Sequence, residues 1–282
     1  MSSAVFDPKI IVSTDLDGTL LDHHTYEWHA MLPALEVIKE KNILLVFNTS
    51  KTLLEARALQ LELGLDAPMI VENGSAIAIP CGLAELFSVS EHDTDCQLKE
   101  GFVVKRFGKA RSEITQYLRG QREKLGALFE SYSDWSVETI MVKTGLDEKT
   151  ARMSNAKEFS EPFVWLGAQE QLDDFIESAQ KKEFQVLQGG RFFHLLGNTD
   201  KSIPLIWLQE KIKGSLGVMP KLVCLGDNKN DVKMLDAADF PVVVKSPICD
   251  FPEINGNNNT IFTQQYGPVG WNSAVLKILE NN

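Results

Sequence analysis

The chain has 282 residues, 44% of them hydrophobic and 24% charged, which is the composition of a globular protein with one large domain or two modest ones. Its net charge of −11 argues against a nucleic-acid-binding surface and against attraction to an anionic membrane. The N-terminus lacks the features of a signal peptide and no stretch approaches roughly 20 consecutive apolar residues, so we expect a cytoplasmic protein that does not span a membrane.

The first 85 residues alternate predicted strands with predicted helices. Continuous apolar runs predict three strands, at residues 10–12, 43–47 and 69–71. Apolar residues at helical spacing predict one helix after Pro33 and a second over 52–63 that ends at Gly64. Strands that are continuously apolar are typical of a parallel sheet covered by helices on both faces.

The pattern changes between about residue 86 and residue 197. Strand-like segments occur at residues 101–107, 139–143, 184–187 and 192–196. Charged helical segments occur at residues 111–125 and 169–182, and Gly189-Gly190 predicts a hairpin turn. We therefore predict an inserted α+β domain over 86–197, with a core domain made of 1–85 and 198–282.

The alternation of the first segment returns near the end of the chain. Helices are predicted at 203–213 and 232–238, and strands at 222–225 and 242–244. Pro241 places the last of these strands nearer a sheet edge. The predicted fold is therefore α/β, with a Rossmann-like, doubly wound parallel sheet that is interrupted by the insert.

Polar residues stand where the predicted strands of this sheet end or a helix begins. They form four groups: Asp15 with Asp17, residues 48–51, residues 200–202 and residues 226–231. Because the carboxyl ends of parallel strands in a doubly wound sheet converge on one crevice, we expect these groups to meet in one site.

The residue types in these groups suit phosphoryl transfer. Asp15 would attack phosphorus, and Asp17 would protonate the leaving alcohol and later activate water. Asp15 and Asp227 carboxylates, with the backbone carbonyl of Asp17, suit Mg²⁺. Thr49 offers a hydroxyl and a backbone N–H expected at a helix start, and Lys201 adds a positive charge.

These motifs, in this order, resemble those of the haloacid dehalogenase-like phosphatases. The matching residues are the Asp15-x-Asp17-Gly-Thr stretch, Thr49, Lys201 and the Gly-Asp-x-x-Asn-Asp stretch at 226–231. The resemblance implies an aspartyl-phosphate intermediate and a Mg²⁺ cofactor, with Asn230 and Asp231 near the metal. The insert resembles the α/β cap, of the C2 type, found in the Cof-type branch of that superfamily.

Further motifs are similar to those of the mannosyl-3-phosphoglycerate phosphatases within that branch. They lie at residues 49–52, 72–74, 189–194 and 267–271. Most Cof-type sugar phosphatases have a Gly-Arg pair where this chain has Ser50-Lys51. The narrower resemblance implies a phosphorylated sugar-glycerate substrate, contacted by Ser50, Lys51, Asn73, Arg191 and His194. Arg191 is the first candidate for the substrate carboxylate and Lys51 the second.

The sequence leaves several alternatives open. Asp231 would either cap the following helix or act indirectly at the metal, and His194 would either be a strand residue or contact substrate. Lys201 would otherwise be a surface lysine. The alternative functions are a sugar-phosphate phosphatase of broader specificity and a non-catalytic phosphoacceptor, and the oligomeric state is not fixed.

Overall fold

The structure, a computed structural model, describes residues 6–188 and 192–281. Two sheets contain the strands of this part of the chain: β1 (Asp7–Thr14), β2 (Ile43–Asn48), β3 (Met69–Val71), β4 (Ala76–Pro80), β5 (Cys96–Lys99), β6 (Phe102–Arg106), β7 (Phe129–Ser131), β8 (Ser160–Trp165), β9 (Phe184–Gln188), β10 (Phe193–Gly197), β11 (Lys221–Gly226), β12 (Phe240–Lys245) and β13 (Ile261–Tyr266).

Ten α-helices connect and cover these strands in the described residues. They are α1 (Leu32–Glu40), α2 (Leu53–Glu62), α3 (Cys81–Ala84), α4 (Arg111–Leu125), α5 (Val137–Thr144), α6 (Glu148–Asn155), α7 (Gln169–Gln180), α8 (Ser202–Leu216), α9 (Val232–Asp236) and α10 (Gly267–Glu280). No helix of residues 6–188 or 192–281 is long and apolar enough to cross a membrane.

The large sheet has nine strands in the order β13-β12-β11-β1-β2-β3-β4-β6-β5. The six strands from β13 to β3 run parallel, and β4, β6 and β5 extend the sheet in antiparallel fashion. Val12 and Leu45 enter one apolar cluster, whereas Ile11 and Leu44 enter another, so the sheet is covered on both faces. The predicted doubly wound α/β core is confirmed.

The second sheet is antiparallel, in the order β7-β8-β10-β9. Ile114 of α4 and Phe175 of α7 pack with Phe163 and Leu195 of this sheet into a separate apolar cluster. This α+β unit is the predicted insert. The predicted Gly189-Gly190 turn lies outside the described residues, although the flanking strands β9 and β10 pair in antiparallel fashion, as a hairpin requires.

Two expectations about the middle of the chain differ from the structure. The strand predicted at 139–143 is wrong, because these residues lie in α5, where the Ser136 hydroxyl accepts the Thr139 N–H at 3.3 Å and Gly145 ends the helix with φ 80°. These helix-capping features at the two ends outweigh the preference of the β-branched residues between them for a strand. The expected domain boundary at 86 does not coincide with the change of sheet, since β5 and β6 still pair in the large sheet.

Candidate active site

The four polar groups expected at one site come together at the carboxyl ends of the parallel strands. Asp15 directly follows β1, and its backbone N–H donates to the Leu225 carbonyl of β11 at 2.9 Å. The residue that ends β2, Asn48, donates from its side-chain amide to the Lys201 carbonyl at 2.9 Å. This contact fixes the start of α8 against the end of β2.

Lys201 is the centre of the site. Its side chain is fully buried, and Nζ lies 2.6 Å from Asp15 Oδ1 and 2.6 Å from Asp231 Oδ1. Burial by itself lowers the pKa of Lys201, but the two carboxylates outweigh it and hold the pKa above its ordinary value. Lys201 is therefore a buried cation, and its interpretation as a surface lysine is wrong.

Three carboxylates face one point beside this lysine. Side-chain oxygens of Asp15, Asp227 and Asp231 lie within 4.8 Å of one another, the one such group among the described residues. Burial raises the pKa of Asp15 well above its usual range although Lys201 opposes it, and burial with the charge of Asp231 raises the pKa of Asp227 to about 7. Carboxylates this close repel one another, and a bound divalent cation would relieve that repulsion. Carboxylate oxygens are the ligands that Mg²⁺ prefers, so these residues fit Mg²⁺.

Asp231 has both carboxylate oxygens engaged by the protein. Oδ1 receives the Lys201 ammonium, and Oδ2 accepts the backbone N–H groups of Asp227 and Asn228, each at 3.1 Å. Asp231 immediately precedes α9, but its side chain holds the loop before the helix rather than the helix itself. Asp231 is therefore placed to orient the Lys201 ammonium and the backbone of Asp227.

Asp17 lines one cavity with Asp15 and Asp227 but does not belong to this group of three carboxylates, and the chain turns sharply at the next residue. Gly18 has φ 81°, and a Cβ atom built on it would lie 2.6 Å from Asp227 Oδ2, so only glycine allows this approach. Asp17 Oδ1 pairs with Lys51 Nζ at 2.8 Å. Burial would lower the pKa of Lys51, but Asp17 and then Glu55 raise it above its ordinary value.

Thr49 is buried, and its backbone N–H is not free for a ligand. It donates to the Ile70 carbonyl at 2.9 Å, and the Thr49 hydroxyl accepts the Lys51 N–H at 3.1 Å. The expected helix start at Thr49 is wrong, because α2 begins only after Thr52, whose hydroxyl accepts the Glu55 N–H in a capping box. The Thr49 hydroxyl still carries a proton that it can donate.

A cavity of about 150 Å³ lies over these groups. Seven of the predicted site residues line it: Asp15, Asp17, Ser50, Asn73, His194, Asp227 and Asn230. Lys51, Lys201 and Asp231 reach lining residues through their ion pairs and hydrogen bonds. Arg191 lies outside the described residues. Five residues that the sequence did not predict also line the cavity: His23, Leu187, Gln188, Asn228 and Ile248.

The insert supplies His194 and Lys157 to the site. His194 lies on β10, and burial, followed by the charge of Lys157, lowers its pKa to about 3, so the imidazole is neutral at physiological pH. The His194 Nδ1 atom has no hydrogen-bond partner within the described part of the chain. Lys157 was not predicted, and its Nζ donates to the Ser50 carbonyl at 2.7 Å.

The loop after β3 joins the site to the insert. Asn73, with φ 57°, accepts a hydrogen bond from the Asn230 side chain at 3.1 Å. Its neighbour Glu72 is buried and accepts the backbone N–H groups of Glu158 and Phe159 at 2.9 and 3.1 Å. The core and the insert therefore meet at Glu72, which is next in sequence to the cavity-lining Asn73.

Comparisons with known proteins agree with this architecture. The family described as haloacid dehalogenase-like hydrolase matches residues 12–85. Glucosyl-3-phosphoglycerate/mannosyl-3-phosphoglycerate phosphatase of Persephonella marina is 32% identical over 271 residues, which cover 96% of this chain and 97% of that protein. The protein of the same name from Methanococcoides burtonii is 33% identical, with 97% and 98% covered.

Solved structures share the fold at lower sequence identity. A protein of Thermoplasma acidophilum has a TM-score of 0.61 at 18% identity, with 96% of this chain and 98% of that chain covered. The sucrose-phosphatase of Synechocystis sp. PCC6803, in complex with sucrose and phosphate, has a TM-score of 0.57 at 15% identity, with 97% of each chain covered. The likeness therefore includes both the large sheet and the insert.

Proposed function

Because the chain belongs to the haloacid dehalogenase-like hydrolases and is a sugar-phosphate phosphatase of that family, we propose that it hydrolyses mannosyl-3-phosphoglycerate to mannosylglycerate and phosphate. The observation that carries the proposed chemistry is the buried Lys201 between Asp15 and Asp231, with Asp227 beside them. The names of the two relatives, which match over nearly the whole chain, support the choice of substrate.

In the proposed reaction, a carboxylate oxygen of Asp15 attacks phosphorus. Lys201 holds Asp15 Oδ1, which orients the carboxylate and leaves its second oxygen for the attack. The O–P bond to Asp15 forms as the bond to the glycerate O3 breaks, and Asp17 gives its proton to O3. Water then attacks the aspartyl-phosphate, passes a proton to Asp17 and releases phosphate and Asp15.

Mg²⁺ is the proposed cofactor, held by the carboxylates of Asp15 and Asp227 with the backbone carbonyl of Asp17. Once bound, it supplies positive charge to the phosphate oxygens in a site that otherwise meets the substrate with several carboxylates. Asp231 acts by keeping Lys201 and the Asp227 backbone in place, because both of its oxygens are engaged.

Mg²⁺ affinity should depend on pH. The pKa of Asp227 is raised to about 7, so below pH 7 the ion must displace a proton, and we expect the dissociation constant at pH 6 to be roughly tenfold higher than at pH 8. Titration calorimetry of EDTA-treated protein measures this. Asp227→Asn is the control, in which binding should weaken strongly and depend less on pH, because Asp15 is then the remaining carboxylate ligand with a raised pKa. Equal affinity of the unaltered protein at both pH values would contradict the assignment of Asp227.

A panel of phosphate esters tests the substrate. We expect kcat/KM for mannosyl-3-phosphoglycerate to exceed that for hexose 6-phosphates by about tenfold or more, because a carboxylate that reaches Lys51 or Arg191 adds a charge-assisted contact. Initial rates of phosphate release with Mg²⁺ give this ratio. Comparable values across the panel would instead indicate a sugar-phosphate phosphatase of broad specificity.

A further inference from the structure

A second cavity, of about 370 Å³, is linked to the catalytic one through the ion pair of Lys51 with Asp17. Lys51 lines this second cavity and also pairs with Asp17 at 2.8 Å. We call it the Tyr26 cavity. Its walls come from the segment after β1, from α2 of the core and from α6 of the insert, and include Leu21, Tyr26, Trp28, Glu62, Thr150 and Met153.

The catalytic cavity is small for the whole of the proposed substrate. Its volume is about 150 Å³, whereas pockets that enclose ligands of this size are typically about 300–1,000 Å³. In a hexosyl-3-phosphoglycerate, the phosphate, the carboxylate and the hexosyl group are all attached to a three-carbon unit. The hexosyl group must therefore lie in space that directly adjoins the phosphate and carboxylate positions.

The Tyr26 cavity meets that requirement because of Lys51. The Lys51 ammonium lies beside Asp17, the proposed proton donor to the leaving oxygen, and 5.5 Å from the centre of the Tyr26 ring. A substrate carboxylate at Lys51 would have the scissile ester on one side and the Tyr26 cavity on another. The hexosyl group, attached to the same three-carbon unit as the phosphate and the carboxylate, would then lie on the Tyr26 side of Lys51.

The side chains of this cavity suit a hexose. Tyr26 is 52% exposed, and its φ of 59° is uncommon for a bulky residue, so the local chain is held in a costly conformation that presents the ring beside Lys51. An aromatic face offers an apolar plane to the C–H face of a pyranose. Glu62 accepts the Trp28 indole N–H through Oε1 at 2.9 Å, and its second oxygen is an acceptor for a sugar hydroxyl.

We propose that the Tyr26 cavity binds the hexosyl group of the substrate, with the ring stacked on Tyr26 and its hydroxyl groups facing Glu62. This inference rests on the proposed function and adds the place of the sugar. It makes Tyr26 a specificity-determining residue for the hexosyl ester.

A competing cavity provides a matched comparison. It has a volume of about 400 Å³, shares Ile248 with the catalytic cavity and contains an aromatic residue, Tyr266, which is 46% exposed. Lys245 lies 4.9 Å from the centre of the Tyr266 ring, but no residue of this cavity is described as pairing with Asp17. Ser246 of the competing cavity lies beside Asp227, so this cavity borders the proposed metal site, whereas Lys51 connects the Tyr26 cavity to Asp17, the proposed proton donor to the leaving oxygen.

The test compares Tyr26→Ala, Tyr26→Phe and Tyr266→Ala. For Tyr26→Ala we expect kcat/KM for mannosyl-3-phosphoglycerate to fall about tenfold or more, because the stacking face is lost. The competitive inhibition constant of 3-phosphoglycerate, which lacks the hexosyl group, should stay within about twofold, and this also reports an intact site. Tyr26→Phe keeps the ring and should retain most of the activity, and Tyr266→Ala should match the unaltered protein.

Two results would overturn the proposal. If Tyr26→Ala weakens 3-phosphoglycerate as much as the hexosyl ester, Tyr26 acts on Lys51 and Asp17 rather than on the sugar. If Tyr266→Ala loses hexosyl-ester activity while Tyr26→Ala does not, the sugar lies in the competing cavity. Failure of the proposed function is distinct from both, because the unaltered protein would then not hydrolyse mannosyl-3-phosphoglycerate.

Discussion

Asp15→Asn should lower turnover by several powers of ten without unfolding the protein. The amide keeps the shape of the carboxylate but cannot attack phosphorus, and removal of a nucleophile typically costs roughly 10⁴-fold or more. Burial raises the pKa of Asp15, so the ionised group opposes folding of the metal-free protein at neutral pH. This loss of unfolding free energy is absent below the pKa that Asp15 has in the unfolded chain, where the carboxyl is protonated in both states. It grows as the pH rises towards the higher pKa that Asp15 has in the folded protein. The variant should therefore be at least as stable as the unaltered chain at pH 7.

Steady-state phosphate release and urea unfolding together test this expectation. Asp66→Asn is a suitable control, because Asp66 is an exposed carboxylate whose partner is Arg57 at 3.1 Å, and it should change neither quantity appreciably. Near-normal turnover by Asp15→Asn would show that Asp15 is not the nucleophile. If the unaltered protein takes up one phosphate per chain and does not release it, the protein is a phosphoacceptor, the alternative that the presence of Asp17 argues against.

The centre of the fold was predictable because its strands carry a strong local signal. Residues 43–47 and 222–225 are continuously apolar, and the structure confirms both as buried strands of the parallel sheet. The antiparallel extension was not predictable in the same way. Strand β5 is short and contains a lysine. Its pairing with β6 depends on contacts between strands, which cannot be predicted from the spacing of apolar residues along the sequence. The family and the doubly wound core are confirmed.

The site was predictable where residues follow strands and less so where tertiary packing decides. Asp15 and Asp227 lie at strand ends, so the convergence of a parallel sheet brings them together. The Thr49 N–H, in contrast, pairs with the neighbouring strand β3, which the motif does not reveal. Lys157 carries no motif at all, and only the packing of the insert against the core brings it to Ser50. The roles of these residues stay predictions.

Loss of the Lys201 charge should have the largest effect on stability. Lys201→Met keeps the length of the side chain but leaves Asp15 and Asp231 buried without their cation, and breaking a buried pair in this way costs about 3–5 kcal/mol of unfolding free energy. Turnover should also fall sharply, because Asp15 loses the contact that orients it. Urea unfolding at pH 8 with EDTA measures the first effect, and phosphate release with Mg²⁺ measures the second.

The matched control for this variant is Lys233→Met. Lys233 pairs with Asp200 at 3.1 Å, but its side chain is 65% exposed, so water screens the pair and its loss should cost at most about 1 kcal/mol. The deficit of Lys201→Met should shrink as the pH falls, because burial raises the pKa of Asp15 and its protonation removes one of the charges that Lys201 balances. Adding Asp231→Asn to Lys201→Met should recover part of the stability, since one unpaired carboxylate is then gone. If Lys201→Met is no less stable than Lys233→Met at pH 8, the carboxylates do not depend on Lys201 for their burial. If its turnover matches that of Lys233→Met, Lys201 has no place in the proposed mechanism.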